Sequence, residues 1–126
     1  MNKKILIVED DQFLREFYQE LLTAEGYFID VAAEGETALQ KMWGNEYDLI
    51  LLDIMLPKKD GLEILNDLKT HPAKSLNVKI VVLTNLGQDS IIKRCFDLGA
   101  QGYLIKSALN PDQVLTEIKS YLQKTP

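Results

Sequence analysis

The segment from Tyr47 to Gly61, which reads YDLILLDIMLPKKDG, places the strongest constraint on how this chain can fold. Leu49 to Leu52 form an unbroken apolar run that is too short for a typical helix, and such runs are typical of strands buried on both faces of a parallel sheet. Asp53 follows at once, and an ionised carboxylate beside an apolar strand is costly unless water, a metal ion or hydrogen-bond donors reach it. The segment therefore predicts a central parallel strand with Asp53 at its carboxyl end, and on this segment alone Asp53 is either a functional carboxylate or a helix-capping or loop aspartate.

Strand and helix patterns alternate along the whole chain. The expected strands are short apolar runs at residues 5–8, 28–32, 49–52, 80–83 and 103–105. Each is followed by a segment in which apolar residues recur every three or four positions, as on the buried face of a helix. Short connections and right-handed crossovers then require a parallel sheet with helices on both faces. We therefore expect an α/β fold with a five-stranded parallel sheet, doubly wound by five helices.

Particular residues are expected to set the helix faces and ends. The apolar stripes of the first and fourth helices should face the core, with Phe13 in the first stripe and Phe96 in the fourth. One of the acidic residues 9–11 should cap the first helix. Asn110 and Pro111 place a capping residue and a first-turn proline before the last helix.

Composition limits the class of protein. The chain has 126 residues, of which 46% are hydrophobic, so residues 1–126 are expected to form a single domain. A formal net charge of -5 argues against nucleic-acid binding, which relies on clustered Lys and Arg. The single cysteine, Cys95, excludes an internal disulfide and a cysteine-based zinc cluster. Since the chain shows neither a membrane-length apolar run nor a signal-peptide pattern, we expect a cytoplasmic protein that does not contact a membrane.

Polar residues follow four of the five expected strands. Glu9 and Asp10 follow the first strand, Asp53 the third, Thr84 the fourth and Lys106 the fifth. Because the carboxyl ends of parallel strands meet at one edge of a sheet, we expect these side chains to share one rim. Clustered carboxylates raise each other's pKa unless a hard divalent cation neutralises them through oxygen ligands, and Mg²⁺ is the natural candidate.

This ordered set of strand-end residues resembles the receiver domain of two-component response regulators, and the resemblance covers essentially the whole chain. It implies the strand order 2-1-3-4-5. It also implies that Asp53 accepts a phosphoryl group from a histidine kinase or phosphotransfer protein, while Thr84 and Lys106 stabilise charge on the transferred group. Tyr103 matches the family's switch aromatic, so phosphorylation is expected to change the surface of the fourth helix, fifth strand and fifth helix.

The resemblance also implies a metal site. Asp10 and Asp53 would bind Mg²⁺ together with the backbone carbonyl of Met55, and Glu9 would act directly or through a bound water. These ligands are all oxygen atoms, as a hard cation requires.

Two positions depart from the family pattern. The residue after the threonine is usually alanine or another small residue, whereas Asn85 stands here, and its larger side chain is expected to restrict entry to Asp53. Receivers usually have a proline after the lysine, commonly with a cis peptide bond, and Ser107 stands there in this chain. A cis bond before serine would cost about 3 kcal/mol. Either the loop is rerouted, or its surroundings hold that strain.

Three other functions are alternatives to the phosphorylated switch. A receiver that binds partners without phosphorylation is the main alternative. A phosphohydrolase of the haloacid-dehalogenase type would need a second aspartate at the position where Met55 stands. A flavodoxin-like flavin carrier would share the topology, but the acidic loop after the first strand would repel the flavin phosphate. We therefore expect a signalling domain rather than a turnover enzyme. It would act on a downstream output domain or protein, with weak dimerisation on phosphorylation as a further possibility.

Overall fold

The structure is a computed structural model, and it describes residues 2–85, 88–107 and 110–123. Strands and helices alternate within these ranges, as the sequence predicts. The strands are β1 (Lys4–Val8), β2 (Phe28–Ala32), β3 (Leu49–Asp53), β4 (Lys79–Thr84) and β5 (Gly102–Ile105). The helices are α1 (Gln12–Ala24), α2 (Gly35–Gly44), α3 (Gly61–Thr70), α4 (Asp89–Asp97) and α5 (Pro111–Gln123).

The strands form one parallel sheet in the order β2-β1-β3-β4-β5, so the expected fold and strand order are confirmed. β3 lies at the centre, and all five of its residues are buried. This explains the unbroken apolar run, because a central strand with helices on both faces leaves no side for polar residues. β2 is an edge strand, where the half-buried Asp30 accepts hydrogen bonds from Tyr47 and Lys41.

Helices cover both faces of the sheet and create two apolar cores. One core joins Leu49 and Leu51 of β3 to α1 and α5, and the other joins Ile50 and Leu52 to α2, α3 and α4. Successive side chains of a strand point to opposite faces. Asp53 therefore continues the α1/α5 side of β3 at the point where the apolar core ends.

The connection from β3 to α3 is held closely against the end of β3. Asp60 and Glu63 form a capping box at the start of α3, in which each side chain accepts a bond from the other's backbone N–H. Gly61 donates its N–H to the carbonyl of Ile54 at 2.8 Å. A methyl group added at Gly61 would lie 2.7 Å from the Ile54 Cα, so only glycine fits at this approach without a backbone shift. The loop that follows Asp53 is thereby fixed.

Two expectations about buried aromatics are wrong. Phe13 is 75% exposed, because it lies in the first turn of α1, and the part of α1 that is fully buried is Tyr18 and Leu22 further along. Phe96 is 41% exposed, while its neighbour Cys95 is buried. Among the described residues β5 is an edge strand, so no further strand covers the side of α4 that extends past β5.

The helix caps follow the expected chemistry. Asp11 caps α1, since its Oδ1 accepts the N–H of Leu14 at 3.0 Å. Asn110 precedes α5, and its Oδ1 accepts the N–H groups of Asp112 and Gln113. Of the helices described here, none has the length and apolar character to cross a membrane.

Candidate functional site

Asp53 is the last residue of β3 and its side chain is fully buried. Both carboxylate oxygens accept a hydrogen bond. Oδ1 accepts the backbone N–H of Met55 at 3.0 Å, and Oδ2 accepts the ammonium group of Lys106 at 2.7 Å. Two donors therefore hold the carboxylate in one orientation and compensate for its burial.

Glu9 and Asp10 bring two more carboxylates to Asp53. One oxygen atom from each of the three side chains lies within 4.8 Å of the others. Glu9 is buried like Asp53, whereas Asp10 is exposed. The predicted acidic cluster at the strand ends is thus present, with two carboxylates inside the protein and one at the solvent boundary.

Burial raises the pKa of the Glu9 carboxyl from 4.5 to about 7. The negative charge of Asp53 acts in the same direction, while the backbone N–H of Asp11 and the ammonium group of Lys106 oppose it. Lys106 Nζ lies 3.1 Å from Glu9 Oε1, but this ion pair lacks the alignment of a hydrogen bond. Among the described residues, Glu9 Oε1 therefore has no hydrogen-bond donor.

Lys106 is the cation that joins the two buried carboxylates, and only 16% of its side chain is exposed. Burial alone would lower its pKa, but the hydrogen bond to Asp53 and the charges of Asp53 and Glu9 raise it. No cis peptide bond occurs in the ranges that the structure describes, and these include the Lys106–Ser107 bond. The Lys106–Ser107 bond is therefore trans, and Lys106 still reaches the rim.

Thr84 and Tyr103 differ in their surroundings. Thr84 is the last residue of β4 and is 1% exposed, and its carbonyl accepts the N–H of Lys106 at 2.8 Å. Its hydroxyl donates to the side chain of Gln88 at 2.7 Å. Tyr103 is 44% exposed, and its ring lies edge-on to Phe96 with 6.3 Å between the ring centroids. The switch aromatic is therefore partly outside the core.

Sequence reasoning missed two residues that shape the site, Arg15 and Gln88. Arg15 lies in the first turns of α1, and its guanidinium group donates to the carbonyls of Glu9 and Asp10 at 2.9 and 3.3 Å. It thereby fixes the backbone that presents the acidic side chains. The sequence signal that could have identified Arg15 is a cationic residue shortly after the acidic residues that follow β1. Nothing in the sequence pattern indicated that Gln88 bonds back to β4.

The oxygen atoms at the rim fit a hard divalent cation. Glu9, Asp10 and Asp53 offer carboxylate oxygens only, which is the donor set that Mg²⁺ prefers. In the part of the chain that the structure describes, one ammonium group, that of Lys106, pairs with these carboxylates, which leaves the cluster with an excess of negative charge. Glu9 Oε1, which lacks a hydrogen-bond donor among the described residues, is a further sign of room for a cation.

A doubly wound parallel sheet with an acidic cluster and a lysine at its carboxyl rim defines a class of signalling domain. The family model of the response regulator receiver domain matches residues 5–119, and the chain belongs to this family. It is thus a receiver domain of two-component systems. The resemblance noted from the strand-end residues is confirmed.

The chain is similar to parts of larger regulators. It is 35% identical to the response regulator ArlR of Staphylococcus saprophyticus over 98% of this chain and 54% of that protein. It is also 35% identical to the alkaline phosphatase synthesis transcriptional regulatory protein PhoP of Bacillus subtilis, over 99% of this chain and 50% of that protein. The chain thus spans about half the length of these curated relatives.

Solved structures resemble the chain along nearly its full length. A CheY-like response regulator receiver domain protein from Methanospirillum hungatei has 31% sequence identity and a TM-score of 0.86, over 97% of this chain and 94% of that one. A two-component response regulator from Clostridium difficile has 30% identity and a TM-score of 0.87, over 98% of each chain.

Proposed function

We propose that this receiver domain is a phosphorylation-controlled switch, in which Asp53 accepts a phosphoryl group from a histidine kinase or a phosphotransfer protein. The observation that carries this proposal is the buried Asp53 carboxylate, which lies within one small cluster with Glu9, Asp10 and Lys106. A merely structural carboxylate at a strand end would not need two further carboxylates beside it. We assign residues 1–126 to a single receiver domain that acts as a signalling module rather than a turnover enzyme.

The reaction that we propose is a single transfer. One Asp53 oxygen forms a bond to the phosphorus atom of a phosphohistidine as the P–N bond breaks, and the electron pair of that bond remains on the imidazole nitrogen. The hydrogen bonds to Asp53 from Met55 and Lys106 orient the carboxylate for this attack. The Lys106 ammonium group and the Thr84 hydroxyl would stabilise the charge on the transferred group.

A bound Mg²⁺ ion would supply positive charge against the three carboxylates and the incoming phosphoryl oxygens. Asp10, Asp53 and the backbone carbonyl of Met55 would hold it, with Glu9 acting directly or through a water molecule. Arg15 supports this arrangement because it fixes the carbonyls of the loop that carries Glu9 and Asp10.

Phosphorylation would be read on the surface formed by α4, β5 and α5. Thr84 would turn toward the phosphoryl group, and Tyr103 would rotate from its partly exposed position into the space that Thr84 leaves. A downstream output domain or protein would bind the altered surface, and a weak dimer through the same surface is a second consequence.

The test of the phosphoacceptor is intact mass spectrometry after incubation with a small phosphodonor and Mg²⁺. The wild type should gain one phosphoryl group, and Asp53→Asn should gain none because the amide is not an anionic nucleophile. Asp97→Asn is the matched control, since Asp97 is an exposed aspartate at the end of α4. Equal phosphorylation of Asp53→Asn and the wild type would refute the assignment.

The metal is tested in the same assay. Excess chelator should abolish phosphorylation, and Asp10→Asn should slow it more than Glu9→Gln, because Asp10 is assigned as a direct ligand. Unchanged phosphorylation in chelator would refute the metal role. If the wild type gains no phosphoryl group under any of these conditions, the alternative of a receiver that acts without phosphorylation is favoured.

A further inference from the structure

The side chain of Gln88 forms two hydrogen bonds with the end of β4. Its Oε1 atom lies 2.7 Å from the hydroxyl oxygen of Thr84 and 3.1 Å from the backbone nitrogen of Asn85. A backbone N–H can only donate, so the atom that faces Asn85 must be the amide oxygen rather than the amide nitrogen. The orientation of the Gln88 amide is therefore determined by the chemistry of its neighbours.

This orientation decides where the Thr84 proton points. The amide oxygen of Gln88 is an acceptor only, so the Thr84 hydroxyl must be the donor at 2.7 Å. The other contact of the hydroxyl, 3.3 Å to the carbonyl of Asn85, is also to an acceptor. A hydroxyl group has a single proton. While Thr84 donates it to Gln88, Thr84 cannot donate it to a phosphoryl oxygen at Asp53.

We propose that Gln88 is a positioning residue that holds the Thr84 hydroxyl in the orientation of the unphosphorylated state and so opposes the phosphorylated state. This inference rests on the proposed function, in which Thr84 donates to the phosphoryl group. Because Thr84 is 1% exposed, water is a poor substitute acceptor for its proton. The hydroxyl therefore exchanges Gln88, the nearer of its two protein acceptors, for a phosphoryl acceptor.

Besides Thr84, the side chain of Gln88 binds the backbone N–H of Asn85, which is exposed, so water can replace that acceptor in a variant. Gln88 is the residue that precedes α4, but its side chain forms no capping hydrogen bond with the helix. The contact of Gln88 with the first turn of α4 is made by its backbone carbonyl, which accepts the N–H of Ile92 at 3.0 Å. Replacement of the side chain leaves that bond in place, so the start of α4 should be retained.

The variant Gln88→Leu tests the inference, because leucine has a similar size and no acceptor. The measured quantity is the affinity for beryllofluoride, a phosphoryl mimic, in the presence of Mg²⁺. We expect Gln88→Leu to bind beryllofluoride about two- to tenfold more tightly than the wild type, the range that one net hydrogen bond accounts for. Gln88→Ala is measured in parallel, so that poor folding of one variant does not remove the test.

A double-mutant cycle separates this role from a general loosening of the loop. Thr84→Val keeps the shape of Thr84 and removes the hydroxyl, so Gln88→Leu should have no effect on beryllofluoride affinity in the Thr84→Val background. In NMR spectra of the free protein, the Thr84 methyl signal of Gln88→Leu should move along the line that joins the free and beryllofluoride-bound positions of the wild type.

The outcomes distinguish the inference from the function on which it rests. If the wild type binds beryllofluoride but Gln88→Leu and Gln88→Ala bind it no more tightly, the Gln88 inference is overturned and the phosphorylated switch stands. If the gain in affinity persists in the Thr84→Val background, Gln88 does not act through Thr84 and the inference is again overturned. If the wild type neither binds beryllofluoride nor is phosphorylated at Asp53, both proposals fail.

Discussion

The buried carboxylate of Glu9 should make the stability of the protein depend on pH in a way that a single substitution removes. Its pKa is about 7 in the folded protein, against an ordinary value of 4.5. The folded state therefore binds the Glu9 proton more tightly than the unfolded state does. The contribution of this group to stability is fully present below pH 4.5 and is lost as the pH rises through about 7.

The size of the effect follows from the shift in pKa. Each unit of difference between the folded and unfolded pKa values corresponds to about 1.4 kcal/mol, so the rise of the Glu9 pKa from 4.5 to about 7 corresponds to about 3 kcal/mol. Glu9→Gln cannot ionise and lacks this contribution. The free energy of unfolding of the wild type, relative to that of Glu9→Gln, should fall by about 3 kcal/mol between pH 4.5 and pH ~8.

The assay is urea unfolding of both proteins in chelator, followed by the fluorescence of Trp43, the one tryptophan of the chain. The comparison of wild type and variant at each pH cancels the titration of groups that do not interact with Glu9. It also cancels any pH-independent cost of the amide beside Lys106. If the two free energies of unfolding run parallel across this pH range, the Glu9 carboxyl does not titrate as its burial requires, and the argument is refuted.

Two pairs of substitutions test the packing around the site. Tyr18→Phe should stabilise the protein by about 1 kcal/mol, because the fully buried Tyr18 hydroxyl has no hydrogen-bond partner among the described residues. Tyr47→Phe is its control and should destabilise by about 1 to 2 kcal/mol, because the Tyr47 hydroxyl donates to Asp30 at 2.6 Å. Gly61→Ala should destabilise by about 1 to 3 kcal/mol, because the added methyl would lie 2.7 Å from a backbone carbon of the loop after β3. Gly44→Ala, in α2 with no atom within 4 Å of the added methyl, should be neutral or stabilising by up to about 1 kcal/mol. Urea unfolding measures all four, and the same sign for both members of a pair would contradict the explanation for that pair.

The fold could be predicted because the central strand has few alternatives. A run such as Leu49 to Leu52 is buried on both faces only in the middle of a layered sheet, and the alternation of strands with helices then favours parallel pairing. The site followed from the fold, since Asp53 and Lys106 end strands of the same sheet. Their 2.7 Å contact joins residues that are 53 positions apart in the chain.

The missed features depend on geometry that periodicity does not encode. Phe13 and Phe96 have the spacing of core residues, but Phe13 is exposed because it lies in the first turn of α1, and Phe96 because it lies beside the edge strand β5. Gln88 looks like an ordinary loop residue, and its bond to Thr84 depends on the path of the chain between β4 and α4. The direction of a hydroxyl proton follows only when the donors and acceptors around it are known.

The distribution of charge at the rim explains why Lys106 can serve both states of the proposed switch. In the free protein its ammonium group lies 2.7 Å from Asp53 Oδ2 and 3.1 Å from Glu9 Oε1, so it compensates two buried carboxylates with one positive charge. A phosphoryl group on Asp53 would convert the anionic carboxylate into an acyl phosphate and carry the negative charge outward onto the phosphoryl oxygens. Lys106 would then lose its ion pair with the Asp53 carboxylate but gain one with the phosphoryl group, which carries more negative charge. Glu9 would remain within reach of Lys106. Because the lysine has an anionic partner before and after the transfer, the buried ammonium group is never left unpaired, which would be far more costly than either state. The residue that keeps the unphosphorylated site stable is therefore also suited to stabilise the product.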